Sequence, residues 1–141
     1  MKYVLDSSVA LKWFLVEPDS DKALRLRDDA RAAIHELLAP DFFPVEMAHA
    51  ITRAERQGRI TPAEGSSFLA DMLSDLPVLH ANIPLLPRAY VISSAARIGV
   101  YDCVYVALAE REKCDLVTAD TRLVANLKNQ FPFIIDLASL P

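Results

Sequence analysis

The sequence predicts an α/β fold, with a parallel sheet of about four to five strands covered by helices. Three observations lead there. Short apolar runs alternate with longer stretches of helical periodicity along the whole chain. The runs are apolar throughout, as in strands buried on both faces of a parallel sheet. Acids stand directly after two of them, Asp6 and Asp120, and in such folds ligands bind outside the carboxyl ends of the strands.

Taken in order, residues 2–5 form the first strand, short and partly β-branched. Asp6, Ser7 and Ser8 then offer caps to a helix over residues 8–16. Glu17-Pro18-Asp19 breaks it, and a second helix is expected over 21–36 with Ala23, Leu26 and Ala30 on one face. Residues 37–40 read as a strand. Residues 43–57 are helical, with Pro44 acceptable in the first turn and Gly58 as the stop. Thr61-Pro62-Ala63-Glu64 has the capping-box pattern, and its helix runs to about residue 74. A strand over 77–81, helices over 85–98 and 101–113, a strand over 115–119, a helix over 121–129 and a last strand over 133–135 complete the chain.

The 141 residues suit one domain spanning 1–141. A chain of this size buries roughly two-thirds of the surface exposed when unfolded. Hydrophobic residues make up 52% and charged residues 24%, ordinary globular usage with no biased tract or repeat. The net charge of −4 argues against a classical DNA-binding module, which relies on basic surface. It leaves a nuclease open, because clustered carboxylates inflate the negative count and bound metal reverses its local sign. Cys103 and Cys114 fit no zinc spacing and are expected as free thiols. Met1-Lys2 leads straight into a strand and no apolar run reaches the about 18 residues of a membrane span. A cytoplasmic protein without membrane attachment is expected.

Four acids carry the chemistry: Asp6, Glu46, Asp102 and Asp120. Asp6 ends the first apolar run. It suits a helix cap, but Ser7 and Ser8 suit that task equally, which leaves Asp6 free for another. Glu46 lies in the first turn of a helix, where the dipole favours an acid and His49 stands at i+3. Phe43, Met47, Ala50 and Ile51 surround it. Asp102 interrupts a stretch that is apolar nearly all round, so its helix is expected to be buried and its carboxylate either needs a partner or a metal or, as a first-turn acid, faces solvent. Asp120 follows Leu116-Val117-Thr118-Ala119 and either caps the next helix or points into a site. Thr118 shares its strand face and offers a hydroxyl. Carboxylates gathered at one end of a sheet repel each other and attract a divalent cation. Hard oxygen ligands favour Mg²⁺ or Mn²⁺.

Taken together, the segments Tyr3-Val4-Leu5-Asp6-Ser7-Ser8 with Leu11-Lys12-Trp13-Phe14, Pro44-Val45-Glu46 with Ala50, Tyr101-Asp102-Cys103-Val104-Tyr105-Val106-Ala107-Leu108-Ala109-Glu110, and Leu116-Val117-Thr118-Ala119-Asp120-Thr121-Arg122-Leu123 occur in one order. In these the chain resembles the PIN-domain ribonucleases, and more narrowly the VapC-type toxins of prokaryotic toxin–antitoxin pairs. The resemblance covers essentially the whole chain. Its one small departure is Cys103, where the family often has alanine.

The resemblance implies a PIN-like α/β/α sandwich and a metal-dependent endoribonuclease, with Asp6, Glu46, Asp102 and Asp120 catalytic and Asp6, Asp102 and Asp120 as ligands of Mg²⁺ or Mn²⁺. Glu46 would ligate through water or act as a base. In-line attack of water would leave a 5′ phosphate and a 3′ hydroxyl. Partners implied are the RNA substrate, a small cognate antitoxin and a second copy in a homodimer. Arg53, Arg56, Arg59 and Arg122 are candidates to grip phosphates or ordinary surface charges, and Trp13, Phe14 and Leu15 are candidates for the antitoxin groove or for the core. His35, His49 and His80 show no ligand spacing. A housekeeping RNA-processing nuclease and a non-catalytic PIN-like binding domain remain as alternatives. A phosphatase with an aspartyl nucleophile is disfavoured, because position 8 is Ser8 where the second acid belongs.

Overall fold

The apolar run that opens the chain becomes the middle of the sheet. In the computed structural model, which describes Met1–Pro141, β1 (Lys2–Leu5) pairs in parallel with β2 (Glu36–Pro40) on one side and β4 (Asp115–Thr118) on the other. β3 (Val78–His80) extends the sheet beyond β2, and β5 (Ile134–Asp136) beyond β4. The order is β3-β2-β1-β4-β5, with every pairing parallel. Val4, Leu5, Leu38, Leu116 and Val117 are buried whichever face they point to. That is why these segments carry no polar alternation.

This topology fixes where a site belongs. The chain lays β1, β2 and β3 outward in one direction, then crosses back to place β4 and β5 on the other side of β1. The reversal falls between β1 and β4, and parallel sheets bind ligands at the carboxyl ends of the strands at such a point. The register Leu5↔Val117 brings Asp6 level with Thr118 there.

Seven helices flank the sheet: α1 (Ser7–Ala10), α2 (Ser20–Arg31), α3 (Phe43–Arg56), α4 (Pro62–Ser74), α5 (Leu86–Ala96), α6 (Val100–Glu112) and α7 (Thr121–Leu127). The α6 helix is buried from Cys103 to Ala109 and lies against β1, β2 and β4. Its apolar circumference follows from this central place. On its outer side α5 packs against it, and Arg88 forks onto Glu110 at 2.8 and 3.1 Å to join the two helices. The capping box at Thr61 forms in both directions, with Glu64 N–H donating to Thr61 Oγ1 and Thr61 N–H to Glu64 Oε1.

Several elements are shorter than their sequence pattern. The helix read over 8–16 is α1 followed by a 3₁₀ turn, Leu11–Trp13. The helix read over 21–36 stops at Arg31. Ala33 takes a left-handed φ of 60°, and Ile34 N–H returns to Asp29 O at 2.8 Å, which closes the helix and frees Glu36 for the sheet. The helix read over 85–98 opens on a 3₁₀ turn, Ile83–Leu85, and ends at Ala96 because Arg97 is left-handed, with φ 57°. No helix is long and apolar enough to cross a membrane. Cys103, buried, and Cys114, half-buried, are free thiols.

Candidate active site

Asp6 stands at the carboxyl end of β1, and its N–H donates to Val117 O at 3.1 Å, tying it to β4. It occupies the cap position of α1 yet its side chain caps nothing. Instead Asp6 Oδ2 accepts the Ser8 hydroxyl at 2.8 Å and the Thr118 hydroxyl at 2.7 Å. Those hydroxyls are held in turn: Ala119 N–H donates to Ser8 Oγ and Asp120 N–H to Thr118 Oγ1, both at 3.0 Å. Asp6 is 5% exposed. Burial pushes its carboxyl up, Thr118 and Ser8 pull it down, and the Asp120 charge pushes it up again, with a net rise.

Glu46 enters from the first turn of α3, where Pro44 and the buried Phe43 fix the start of the helix. Its partner is Tyr105, whose hydroxyl donates to Glu46 Oε1 at 2.6 Å. Burial raises the Glu46 carboxyl, the Tyr105 bond opposes this, and the charges of Asp6 and Asp102 add to the rise. Tyr105 is 1% exposed. Its own acidity is suppressed by burial and then by the Asp6 and Glu46 charges, so it is a permanent donor. Residue-type reasoning missed Tyr105. The available signal was its place three residues after Asp102, on the same side of α6.

Asp102 lies half-buried in the first turn of α6. Burial, then the charges of Asp6 and Asp120, push it up to about 6, and only the Arg122 charge pulls it down. No hydrogen bond is among these influences. The rise extends to the thiol beneath: Cys103 is pushed up to about 11 by burial and by Asp102. Asp120 meets both of its sequence readings. It caps α7 through Oδ1, which accepts from Arg122 N–H at 3.0 Å and Leu123 N–H at 3.3 Å, and its charge still reaches Asp6 and Asp102.

The four acids are therefore gathered so that each is linked by charge to at least two of the others, with Thr118, Ser8 and Tyr105 around them. No three of them converge closely enough to form a ready-made ligand cage. The donor set still suits a hard divalent cation. It is all oxygen, it includes a buried carboxylate with no cationic side chain paired to it, and three of its carboxyls are raised by burial and then by the neighbouring acids.

Raised carboxyls have a consequence for stability. A folded-state pKa above the unfolded value means the folded protein holds more protons between the two, so stability falls as pH rises through that window. For Asp102 the window runs from 3.8 to about 6. The bidentate Arg88–Glu110 pair acts in the opposite sense but is exposed and screened. We expect the metal-free protein to melt at a higher temperature near pH 5 than near pH 7.5, with the slope reduced in Asp102→Asn. Melting curves in EDTA across this range check it, and a wild-type slope of the opposite sign would sink it.

The arginines divide. Arg53, Arg56 and Arg59 lie at or beyond the far end of α3, seven or more residues from Glu46, on the order of 10 Å along the axis. Arg59 is engaged by Glu17 at 3.0 Å. They do not join the cluster, whereas Arg122 does. Leu15 belongs to the core, and Trp13 and Phe14 are half-buried, the former donating Nε1–H to Ala23 O at 2.9 Å.

The sequence pattern of the PIN domain matches residues 3–127. Ribonuclease VapC3 of Pyrobaculum aerophilum is 28% identical over 137 residues, covering 96% of this chain and 98% of that protein. Ribonuclease VapC12 of Mycobacterium tuberculosis is 37% identical over 122 residues, covering 85% of this chain and 88% of that protein. Among solved structures, PAE2754 from Pyrobaculum aerophilum superposes with a TM-score of 0.69 at 26% identity, over 99% of this chain and 91% of that one. VapBC2 from Rickettsia felis, bound to a DNA fragment from its promoter, gives 0.67 at 15% identity over 96% of this chain and 97% of that one, a likeness of fold alone.

Proposed function

The chain belongs to the PIN domain family, and from that premise we propose that it is a metal-dependent endoribonuclease, the toxin of a toxin–antitoxin pair. The observation that carries the reading is the gathering of Asp6, Glu46, Asp102 and Asp120 at the switch point of the sheet, with Arg122 the one cationic side chain acting on them. Relatives named as VapC ribonucleases along nearly the full chain support the substrate class.

In this reading Asp6, Asp102 and Asp120 hold Mg²⁺ or Mn²⁺. Such an ion supplies Lewis-acid chemistry, neutralising the acids and the phosphate and acidifying water. The remaining chemistry belongs to the chain. Ser8 and Thr118 both donate to Asp6 Oδ2 and so fix the orientation of its carboxylate. The cap bonds do the same for Asp120, engaging Oδ1 and leaving Oδ2 free of them. Tyr105 fixes Glu46 through Oε1. Glu46, with its carboxyl raised, is placed to take a proton from the attacking water, and general bases work best when their pKa approaches the working pH. Arg122 offers positive charge beside Asp102 for the phosphate.

The antitoxin belongs to the same proposal. The cleft of about 350 Å³ beside Trp13 and Phe14, edged by Arg27, Arg31, Asp71 and Asp75, offers a mixed apolar and charged seat for its tail. A homodimer and a cytoplasmic setting complete the reading. The test is cleavage of total RNA by the purified protein. We expect cutting with Mg²⁺ or Mn²⁺ and none in EDTA. Equal cutting in EDTA would exclude the metal-dependent mechanism.

A further inference from the structure

Beside the acids the surface opens into a cavity of about 270 Å³, lined among others by Arg97, Ile98, Asp102, Asp120, Arg122 and Asn126. Its two acids belong to the site already described. Of its other groups only Arg122 has been given a task; Arg97 and Asn126 have none. Arg97 and Arg122 are exposed, and neither takes part in any ion pair of the molecule. Other arginines of the chain are engaged: Arg31 by Asp75, Arg59 by Glu17 and Arg88 by Glu110. Asn126 follows Arg122 by four residues on α7, so the two lie on one side of that helix. Ile98, half-buried, adds apolar surface.

The cavity wall is also fixed in advance. Arg97 ends α5 with φ 57° and ψ 46°, a conformation in which glycine or asparagine is usual. Its N–H donates to Ser93 O at 2.8 Å, and Ser93 Oγ donates to Ile98 O at 2.5 Å. The turn carrying one guanidinium is thereby tied back to its helix. The other guanidinium follows Asp120, whose cap bond to Arg122 N–H holds that turn.

The chemistry selects the occupant. Two unpaired guanidinium forks suit a phosphate. A side-chain amide presents both donor and acceptor to a base edge. Apolar surface suits the face of a base or ribose. Pockets of about 300–1,000 Å³ hold drug-sized ligands, so one slightly smaller takes a single nucleotide and not a duplex. We propose that this cavity is a single-nucleotide subsite of the RNA path, in which Arg97 and Arg122 hold the phosphate next to the one cleaved and Asn126 reads the base. The inference rests on the ribonuclease reading and deepens it. Acids on one side and arginines on the other impose a direction on the strand, and the base beside the cut is sensed by Asn126.

The test uses the full chain with three variants: Arg97→Gly, Arg97→Lys and Asn126→Ala. Glycine is chosen because it accepts the left-handed conformation and keeps the fold. Binding of a labelled single-stranded RNA is measured in EDTA across a salt series, and cleavage sites in Mn²⁺ are mapped by sequencing the product ends. We expect Arg97→Gly to weaken binding about tenfold and to lower the slope of log affinity against log salt by about 0.7, the loss of one phosphate contact. Arg97→Lys should restore the slope. Asn126→Ala should leave the slope unchanged and relax base preference at one position beside the cut. If the wild type cuts and the Gly and Ala variants bind and cut as it does, the subsite is overturned. If the wild type does not cut at all, the ribonuclease reading falls, and the salt slope alone then decides whether Arg97 contacts phosphate.

Discussion

Replacing Asp102 by asparagine is expected to lower RNA cleavage by roughly a hundredfold to a thousandfold or more, the scale on which removal of a group that stabilises transition-state charge is felt. The substitution keeps shape and polarity. It removes the charge on which Asp6, Asp120 and Arg122 act. No hydrogen bond holds this carboxylate, so asparagine loses no contact that the acid had, and the melting temperature at neutral pH should hold or rise. Single-turnover cleavage in Mn²⁺, beside calorimetric titration of the ion, separates the consequences. We expect both cutting and metal binding to be lost together. Wild-type cutting by the mutant would remove Asp102 from the reaction. Lost cutting with intact metal binding would move its role from holding the ion to another step.

Asp6→Asn should show the opposite signs for activity and stability in one protein. The Asp6 carboxyl is buried, raised by desolvation, and close enough to Asp120 to be repelled. Asn keeps an oxygen to accept the Ser8 and Thr118 hydroxyls and removes the charge that burial penalises. We expect cleavage to fall as far as in Asp102→Asn, while stability in EDTA near pH 8 rises by about 0.5–2 kcal/mol, the usual size of a single favourable substitution. The pH dependence identifies the cause. A raised folded-state pKa gives stability that is fully present below the unfolded pKa of about 3.8 and lost as pH rises through the folded value. The gain in Asp6→Asn should therefore shrink as pH falls toward 3.8 and be lost below it, where the carboxyl is protonated in both folded and unfolded wild type. Mn²⁺ should stabilise the wild type, since an ion that binds only the folded state shifts the equilibrium, and leave the mutant unmoved. Urea denaturation in the two metal conditions reads all of this. A mutant less stable than wild type at pH 8 would show that the ionised Asp6 is a structural asset and not a cost.

The two predictions depend on an arrangement only partly legible in the chain. Asp6 could be set apart from the capping role because Ser7 and Ser8 compete for it, and its side chain indeed caps nothing. Asp120 could not, and the reason is physical: one carboxylate oxygen serves the helix while its charge serves the cluster. Tyr105 was hidden inside an apolar run, where a tyrosine is an ordinary core residue until a partner for its hydroxyl is known. Glu46 comes from a segment 59 residues away in sequence and makes that partner. Helix ends were overestimated for a similar reason. Periodicity continues through residues 32–36 and 97–98, but hydrogen bonds from left-handed turns at Ala33 and Arg97 end the helices sooner.

By itself the sequence determined the alternation of buried strands and helices, the placing of acids after the first and fourth strands, and the unusual acid in the buried sixth helix. These are local properties: period, propensity and the cost of an unpaired charge. Tertiary structure alone decided that the order β3-β2-β1-β4-β5 sets β1 beside β4, so that acids more than a hundred residues apart share one end of the sheet. It also decided which hydroxyls orient them, which arginines are left without partners, and that Arg97 shares a cavity with Asp102. Strand order is set by long-range packing of side chains that are apolar on both faces, and such strands are nearly interchangeable when read one at a time.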